Sequence, residues 1–178
     1  MRIIKHVSCS DIDVEFQDKY KHVVRNTTYS NFTKGQIKNP YDITVYGVGM
    51  IGAGKYKARA NEKRMTKEYV CWQHILERCY DYKQRERHPA YYHICKICDE
   101  WLNFQVFAEW YDNNFYEVPT LGRMHIDKDI LYPGNKIYSP ETCIFVPQRI
   151  NMLFVNRPNK SGLPNGITKL KKRLFSLI

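Results

Sequence analysis

The chain has 178 residues, enough to bury one hydrophobic core but too few for several domains. Its 28 lysines and arginines against 18 acidic residues give a net charge of +10, which favours nucleic acid over acidic small molecules as a partner. No stretch approaches the roughly 20 apolar residues of a membrane span, and the N-terminus lacks an apolar signal region, so we expect a cytoplasmic protein without membrane contact.

Charge is distributed unevenly along the chain. Between Gly54 and Lys67 six bases face a single acid, and from Arg157 onward there are six bases and no acid. Between Asp99 and Glu141, by contrast, eight acids outnumber three bases. Basic segments therefore flank an acidic middle, the arrangement expected if the flanks neutralise phosphates while the middle holds a divalent cation.

The first 65 residues predict few elements. Residues 1–40 mix charges with β-branched runs and indicate only short strands, and Ile43–Ile51 predicts a strand that ends in glycines. The glycines resemble a nucleotide-binding loop, but no helix with a core-facing stripe follows them, and Tyr56 stands where a P-loop needs Ser or Thr. We interpret residues 1–65 as a basic, glycine-containing segment that packs on or extends the core.

Two amphipathic helices are predicted from apolar residues at three- and four-residue spacing. The first begins at Thr66, whose hydroxyl can cap it, and the second opens with Asp99 and Glu100, where acids suit the helix dipole. The stripe of the first comprises Tyr69, Trp72, Ile75, Leu76 and Cys79. That of the second comprises Trp101, Phe104, Phe107, Ala108 and Tyr111.

The cysteines allow a zinc hypothesis. Cys95-Lys-Ile-Cys98 is a CxxC pair that can chelate one Zn²⁺, and Cys79, Cys71, His88 or His93 could complete its tetrahedral coordination. A strong zinc signature has two such pairs, and cysteines on the apolar face of a helix commonly pack as small hydrophobic side chains. We therefore favour packed, reduced thiols over a structural zinc site of Cys79, Cys95 and Cys98.

Residues 121–155 predict two strands and a helix around a long loop. The strands are Leu121–Ile126 and Thr142–Val146, the loop is Asp127–Glu141 with a Pro-Gly turn, and the helix is Gln148–Val155 with Pro147 at its first turn. This order is that of the ββα-metal architecture. The predicted fold class is therefore α+β: a ββα-metal hairpin and helix packed with amphipathic helices and short N-terminal strands.

This hairpin carries the candidate chemistry. His125 is the candidate general base for water, because an unperturbed imidazole is largely neutral at pH 7. Asp127 or Asp129, together with Asn151, are candidate ligands for Mg²⁺ or Mn²⁺, which would stabilise charge on phosphate and the leaving oxygen. Structural roles are the alternative: Asp127 can cap a turn, and Asn151 can bond a loop carbonyl.

At these residues the chain resembles phage-encoded HNH-type endonucleases of the homing kind. The resemblance lies in Asn31–Tyr56, Trp72–Tyr80, Cys98–Trp110, Ile126–Ile130 and Gly134–Asn151. It implies metal-dependent cleavage of double-stranded DNA, in the host cytoplasm if the chain is phage-encoded. The oligomeric state stays open, a monomer included.

The chain departs from the HNH pattern in ways that bear on activity. The residue before the base is commonly Asp or His in that family and ligates the metal, whereas here it is Met124. The Asn that orients the base would fall near Glu141 or Thr142, with Asn135 as an alternative. A catalytically inactive DNA-binding relative is therefore the alternative to an active nuclease.

The resemblance also suggests domain boundaries. Residues 66–157 would form the helical and nuclease domain, and the basic tail, 158–178, would be a truncated DNA-binding extension that begins around Leu163-Pro-Asn-Gly166. The predicted nucleic-acid contacts are Lys55, Lys57, Arg59, Lys63, Arg64, Lys128, Lys136, Arg149, Lys169, Lys171, Lys172 and Arg173.

Overall fold

The computed structural model describes residues 1–87 and 89–154, with the side chain of Phe154 excepted. In these ranges the strands are β1 Arg2–Ser8, β2 Asp11–Glu15, β3 Val23–Thr27, β4 Lys96–Ile97, β5 Met124–Asp127, β6 Ile137–Tyr138 and β7 Ile144–Pro147. The α-helices are α1 Tyr29–Thr33, α2 Lys67–Tyr80, α3 Phe104–Asn114 and α4 Gln148–Phe154. The predicted α+β class is confirmed. None of the described helices has the length and apolarity that a bilayer crossing requires.

The short N-terminal strands form an antiparallel sheet with β2 at its centre. Ile12 and Val14 lie on one face of β2 and are fully buried. Asp13 alternates to the other face, where its carboxylate accepts a hydrogen bond from the Asn26 backbone N–H at 3.1 Å and pairs with Arg25 at 3.4 Å. The buried strand is thus held by apolar packing on one face and by a satisfied carboxylate on the other.

The prediction of a strand at Ile43–Ile51 is wrong. A tight turn replaces it, in which the Gly49 N–H donates to the Val45 carbonyl at 2.8 Å and Gly47 has a φ of +72°. A Cβ added at Gly49 would lie 2.6 Å from Leu76 Cδ1, so the glycine lets this turn pack directly on α2. The glycine-rich motif therefore has a packing role.

Helices α2 and α3 form the centre of the core. Thr66 caps α2 as predicted, its hydroxyl accepting from the Tyr69 N–H at 3.4 Å. The second helix differs from the prediction: a 3₁₀ turn spans Glu100–Leu102, and α3 begins only after Asn103, whose side chain caps it. The predicted apolar stripes are buried apart from Tyr69, which is partly buried, and the Trp72 indole N–H donates to the Trp101 carbonyl at 2.6 Å.

Strands β5 and β7 pair antiparallel, and α4 follows β7 directly. β5 begins at Met124, three residues later than predicted, and extends through Asp127, while Pro147 ends β7. In the connecting loop, Gly134 of the Pro-Gly turn has a φ of +82°. An unpredicted parallel pair, β4 with β6, joins this loop to the segment before α3. Val155 and the basic tail lie outside the described residues.

Candidate functional site

A cleft of about 810 Å³ lies between α2, the connection that precedes it, and the β5–β7 pair. His125 and Asn151 both line it. The other polar residues of its lining include Lys63, Arg64, Thr66, Lys67, His74, Arg78, Glu117 and Arg123. Two of the predicted catalytic residues therefore share one strongly basic cleft.

Helix α2 contributes one complete face to this cleft. Its core face carries the buried stripe, and the cleft face carries Lys67, Val70, Cys71, His74 and Arg78 at three- and four-residue spacing. Because 3.6 residues complete a turn, these five side chains lie in one row. Sequence reasoning missed His74 and Arg78 as site residues, although the same periodicity, applied to the polar positions of the helix, indicates them.

His125 is held by β5, opposite Val146 of β7. Ile126 is buried in the core, so strand alternation turns His125 away from the core and toward the cleft. Partial burial lowers the pKa of His125 from its ordinary value, and the nearby positive charges of Arg123 and Arg78 lower it further. A lowered pKa keeps the imidazole neutral near pH 7, the form that accepts a proton.

Asn151 reaches the cleft from the first turns of α4. The Gln148 N–H, at the start of this helix, donates to the Arg123 carbonyl at 2.9 Å. That bond fixes α4 against the residues that lead into β5. The strand that bears His125 and the helix that bears Asn151 are thus held together by backbone geometry.

Asp127 and Asp129 are not brought to Asn151. One oxygen of Asp127 accepts from the backbone N–H groups of Asp129 at 2.6 Å and Ile130 at 2.8 Å, which is a turn cap. The carboxylate of Asp129 accepts from the Lys128 ammonium at 2.6 Å. Among the described residues, neither aspartate lines the cleft. The predicted ligand set is therefore not assembled, and Asp127 has the structural role considered as its alternative.

Lys128 was predicted to contact nucleic acid, but it lies in the protein interior. Only 3% of this residue is exposed, and its ammonium lies 5.3 Å from the ring centroid of Tyr91 and 5.7 Å from that of Tyr138. The ammonium also donates to the Asn135 carbonyl at 2.9 Å. A buried, paired ammonium has no access to a phosphate backbone, so the prediction that Lys128 contacts nucleic acid is wrong.

The residues predicted to orient the base also belong to this loop. The Asn135 amide donates to the carbonyls of Lys128 at 2.9 Å and Ile137 at 2.7 Å, and Thr142 donates to the same Ile137 carbonyl at 2.8 Å. Glu141 is exposed, and a hydrogen bond with Ser139 lowers its pKa. In the described part of the chain, none of these residues lines the cleft with His125.

The predicted basic contacts other than Lys128 divide into three groups. Lys63 and Arg64 line the cleft. Lys55, Lys57, Arg59, Lys136 and Arg149 are exposed elsewhere on the surface. Lys169, Lys171, Lys172 and Arg173 lie outside the described residues. Lys67 and Arg123, which were not predicted as contacts, also line the cleft.

The cysteines of the zinc hypothesis are packed among apolar side chains. Cys79 and Cys95 are buried, and burial raises the pKa of Cys79 to about 12 and that of Cys98 to about 11. Raised pKa values favour protonated thiols, whereas zinc binds thiolates. Within residues 1–87 and 89–154 no group of three or more His, Cys, Asp or Glu side chains could hold a metal ion. His88 lies outside those ranges.

No protein-family model, curated protein or solved structure matches the chain. The cleft itself is strongly basic. Its lining includes five lysines and arginines but a single described carboxylate, Glu117, which pairs with Lys67 at 2.6 Å. This charge balance suits an anionic ligand, and the neutral imidazole of His125 can accept a proton from a molecule held there.

Proposed function

We propose that this protein is an HNH-type endonuclease that hydrolyses phosphodiester bonds of double-stranded DNA, with the basic cleft as its active site. The observation that carries the proposal is the meeting of His125, whose pKa is lowered, with an excess of cations in one cleft. DNA presents closely spaced phosphates, and lysines and arginines bind them largely without regard to sequence.

In the proposed reaction His125 removes a proton from a water molecule as the water oxygen attacks phosphorus. Lys63, Arg64 and Arg123 bind phosphates around the scissile bond, and the Asn151 amide hydrogen-bonds to the reacting group. Cations placed beside phosphate oxygens stabilise the negative charge that grows there during the attack. The bond between phosphorus and the leaving oxygen breaks, the leaving oxygen takes a proton from water, and His125 then releases its proton to the solvent.

The ββα-metal assignment belongs to the same proposal. The order β5, loop, β7, α4, with His125 on the first strand and Asn151 on the helix, supports it. The HNH resemblance of these residues supports it as well. We further propose that residues 66–157 form the nuclease domain, and that residues 1–65 and the basic tail, 158–178, flank it.

The residues present do not fit the divalent ion that the resemblance implies. Mg²⁺ or Mn²⁺ would supply a Lewis acid at the phosphate, and such hard cations prefer carboxylate oxygens. Glu117 is paired with Lys67, Asp127 caps its own turn, and Met124 offers a thioether, a weak ligand for a hard cation. No step of the reaction is therefore assigned to a metal.

A second candidate is a catalytically inactive HNH-like protein that binds DNA. The observation that favours it is the lack of suitable metal ligands beside His125. Met124 precedes His125, and the neighbouring carboxylates are engaged within their loop. Such a protein would keep the basic cleft for binding and would have lost hydrolysis.

Incubation of the purified protein with plasmid and genomic DNA, in Mg²⁺, in Mn²⁺ and in chelator, separates the two candidates. The endonuclease proposal predicts nicking or cutting by the wild type that disappears in His125→Ala. Slower migration of DNA on native gels, without cleavage of any DNA including the native genomic target, would support the catalytically inactive DNA-binding protein. Neither binding nor cleavage would reject both.

A further inference from the structure

Arg78 differs from the other cations of the cleft in its surroundings. It lies on the cleft face of α2, is half-buried, and its Nε donates to the His74 carbonyl one turn earlier at 3.2 Å. It also lines a smaller adjoining cleft of about 330 Å³ together with His74, Glu77, Gln84 and His125. Arg78 and His125 therefore share both cavities.

No carboxylate of the described residues pairs with Arg78. Glu77, its neighbour in the smaller cleft, accepts from the Gln84 amide at 2.6 Å instead. The Tyr91 ring centroid lies 6.0 Å from the guanidinium carbon, at the outer limit of a cation–π contact. Partial burial of a guanidinium without a counter-ion is unfavourable, and a bound anion would supply the missing counter-ion.

The guanidinium of Arg78 has one hydrogen bond among the described residues. The bond from Nε to the helix backbone engages one nitrogen, and within residues 1–87 and 89–154 no hydrogen bond engages the two terminal nitrogens. Because Arg78 and His125 line the same two clefts, a phosphate bound by the guanidinium would also face the imidazole. A planar pair of N–H donors matches two oxygens of a phosphate group better than a lysine ammonium does.

We propose that Arg78 binds the phosphate held in front of His125, its terminal nitrogens contacting two of the phosphate oxygens. The ligand class is a phosphate group, and the inference rests on the proposed function in that the phosphate belongs to DNA. In this arrangement Arg78 supplies positive charge beside His125, where the neighbouring side chains do not fit a divalent cation.

The direct test is an NMR titration with inorganic phosphate at constant ionic strength and in the presence of chelator. The imidazole Hε1 resonance of His125 reports on phosphate bound beside it, and sodium chloride serves as the control salt. The wild type is compared with Arg78→Gln and with Arg85→Gln, a matched loss of an exposed arginine that lies outside both clefts. Backbone amide spectra establish that each variant is folded.

We expect phosphate to shift the His125 resonance in the wild type and in Arg85→Gln, and to bind roughly tenfold or more weakly to Arg78→Gln. No response of His125 to phosphate, or equal affinity in Arg78→Gln, would overturn the inference. If Arg78→Gln does not fold, Arg78→Lys replaces it. That variant keeps the charge but loses the planar fork, and a several-fold weaker response is expected, with an unchanged response again overturning the inference.

Failure of the endonuclease proposal gives a different result. In that case no DNA is cleaved under any metal condition, yet the Arg78-dependent phosphate response persists. If DNA is cleaved and the phosphate response does not depend on Arg78, the endonuclease proposal stands and the inference about Arg78 is wrong.

Discussion

The basic cleft and the loop from Asp127 to Asn135 meet at strand β5, and both carry charged and amide side chains, but those side chains are used differently. In the loop the carboxylate of Asp127, the ammonium of Lys128 and the amide of Asn135 all bond within the loop and its flanking strands. In the cleft, His125 and Arg78 face open volume, and no described carboxylate pairs with Arg78.

Structural and functional polar residues differ in whether their hydrogen bonds are completed by their own segment. A polar side chain whose hydrogen bonds are completed by its own loop stabilises that loop, because leaving a buried donor or acceptor unpaired is costly. A charged side chain that faces a cleft without a partner is available to a ligand. By this criterion the loop shapes the hairpin, and the cleft is where a substrate would bind.

The largest expected effect is on catalysis. His125→Ala should reduce plasmid nicking by roughly a hundredfold or more, the contribution of a positioned general base, while leaving DNA affinity nearly unchanged. Asn135→Ala, assayed at a temperature where it remains folded, should retain most activity because Asn135 serves the loop. Equal loss in both variants would erase the distinction between the two regions.

Removal of the Asp127 turn cap should instead affect stability. Asp127→Ala leaves two backbone N–H groups without their acceptor and should lower the free energy of unfolding by about 1–3 kcal/mol. Chemical denaturation followed by circular dichroism measures this value. Asp112→Ala, which removes an exposed carboxylate that among the described residues accepts a hydrogen bond from the Tyr56 hydroxyl alone, is the control and should change stability by less than about 0.5 kcal/mol. If the two variants are equally stable, Asp127 is free for another role.

Charge in the cleft should determine the salt dependence of DNA binding. The double variant Lys63→Gln, Arg64→Gln should make the slope of log affinity against log salt shallower by up to about 1.8, because each phosphate contact contributes about 0.9. Lys55→Gln, Lys57→Gln carries the same change of charge outside the cleft lining and should alter the slope less. The reverse ranking would move the DNA path to the glycine-containing segment.

The smallest expected effect is on the pH profile. Burial first, and then Arg123 and Arg78, lowers the pKa of His125 below its ordinary value of 6.5, so the neutral base persists to lower pH. The midpoint of the acidic limb in the pH profile of the cleavage rate should therefore lie below pH 6.5. Arg78→Gln removes one of these positive charges and should move that limb to slightly higher pH. A wild-type limb above pH 6.5 would contradict the assignment of His125 as the base.

Much of the fold was accessible from the sequence because it depends on local patterns. The stripe from Trp72 to Cys79 and the cap at Thr66 predicted α2, and the strand, loop, strand and helix order predicted β5, β7 and α4. The turn at Val45–Gly49 was wrongly predicted as a strand, because Gly49 packs on Leu76 and Trp72, a contact between distant segments. The parallel pairing of β4 with β6 is likewise non-local.

The candidate site was predicted only in part for the same reason. The choice of His125 and Asn151 as site residues follows from the order of the strands and the helix. Whether Asp127 binds a ligand or its own backbone depends on the path of the loop, which residue type does not determine. The burial of Lys128 depends on the rings of Tyr91 and Tyr138, both distant from it in sequence.

Lysine footprinting tests most directly the claim that DNA occupies the cleft. The protein is acetylated with and without a duplex DNA, and each site is quantified by mass spectrometry. We predict that DNA protects Lys63 and Lys67, that Lys5 on the N-terminal sheet keeps its reactivity, and that buried Lys128 is unreactive in both samples. Unchanged labelling of Lys63 and Lys67, with protection of lysines elsewhere, would contradict the account.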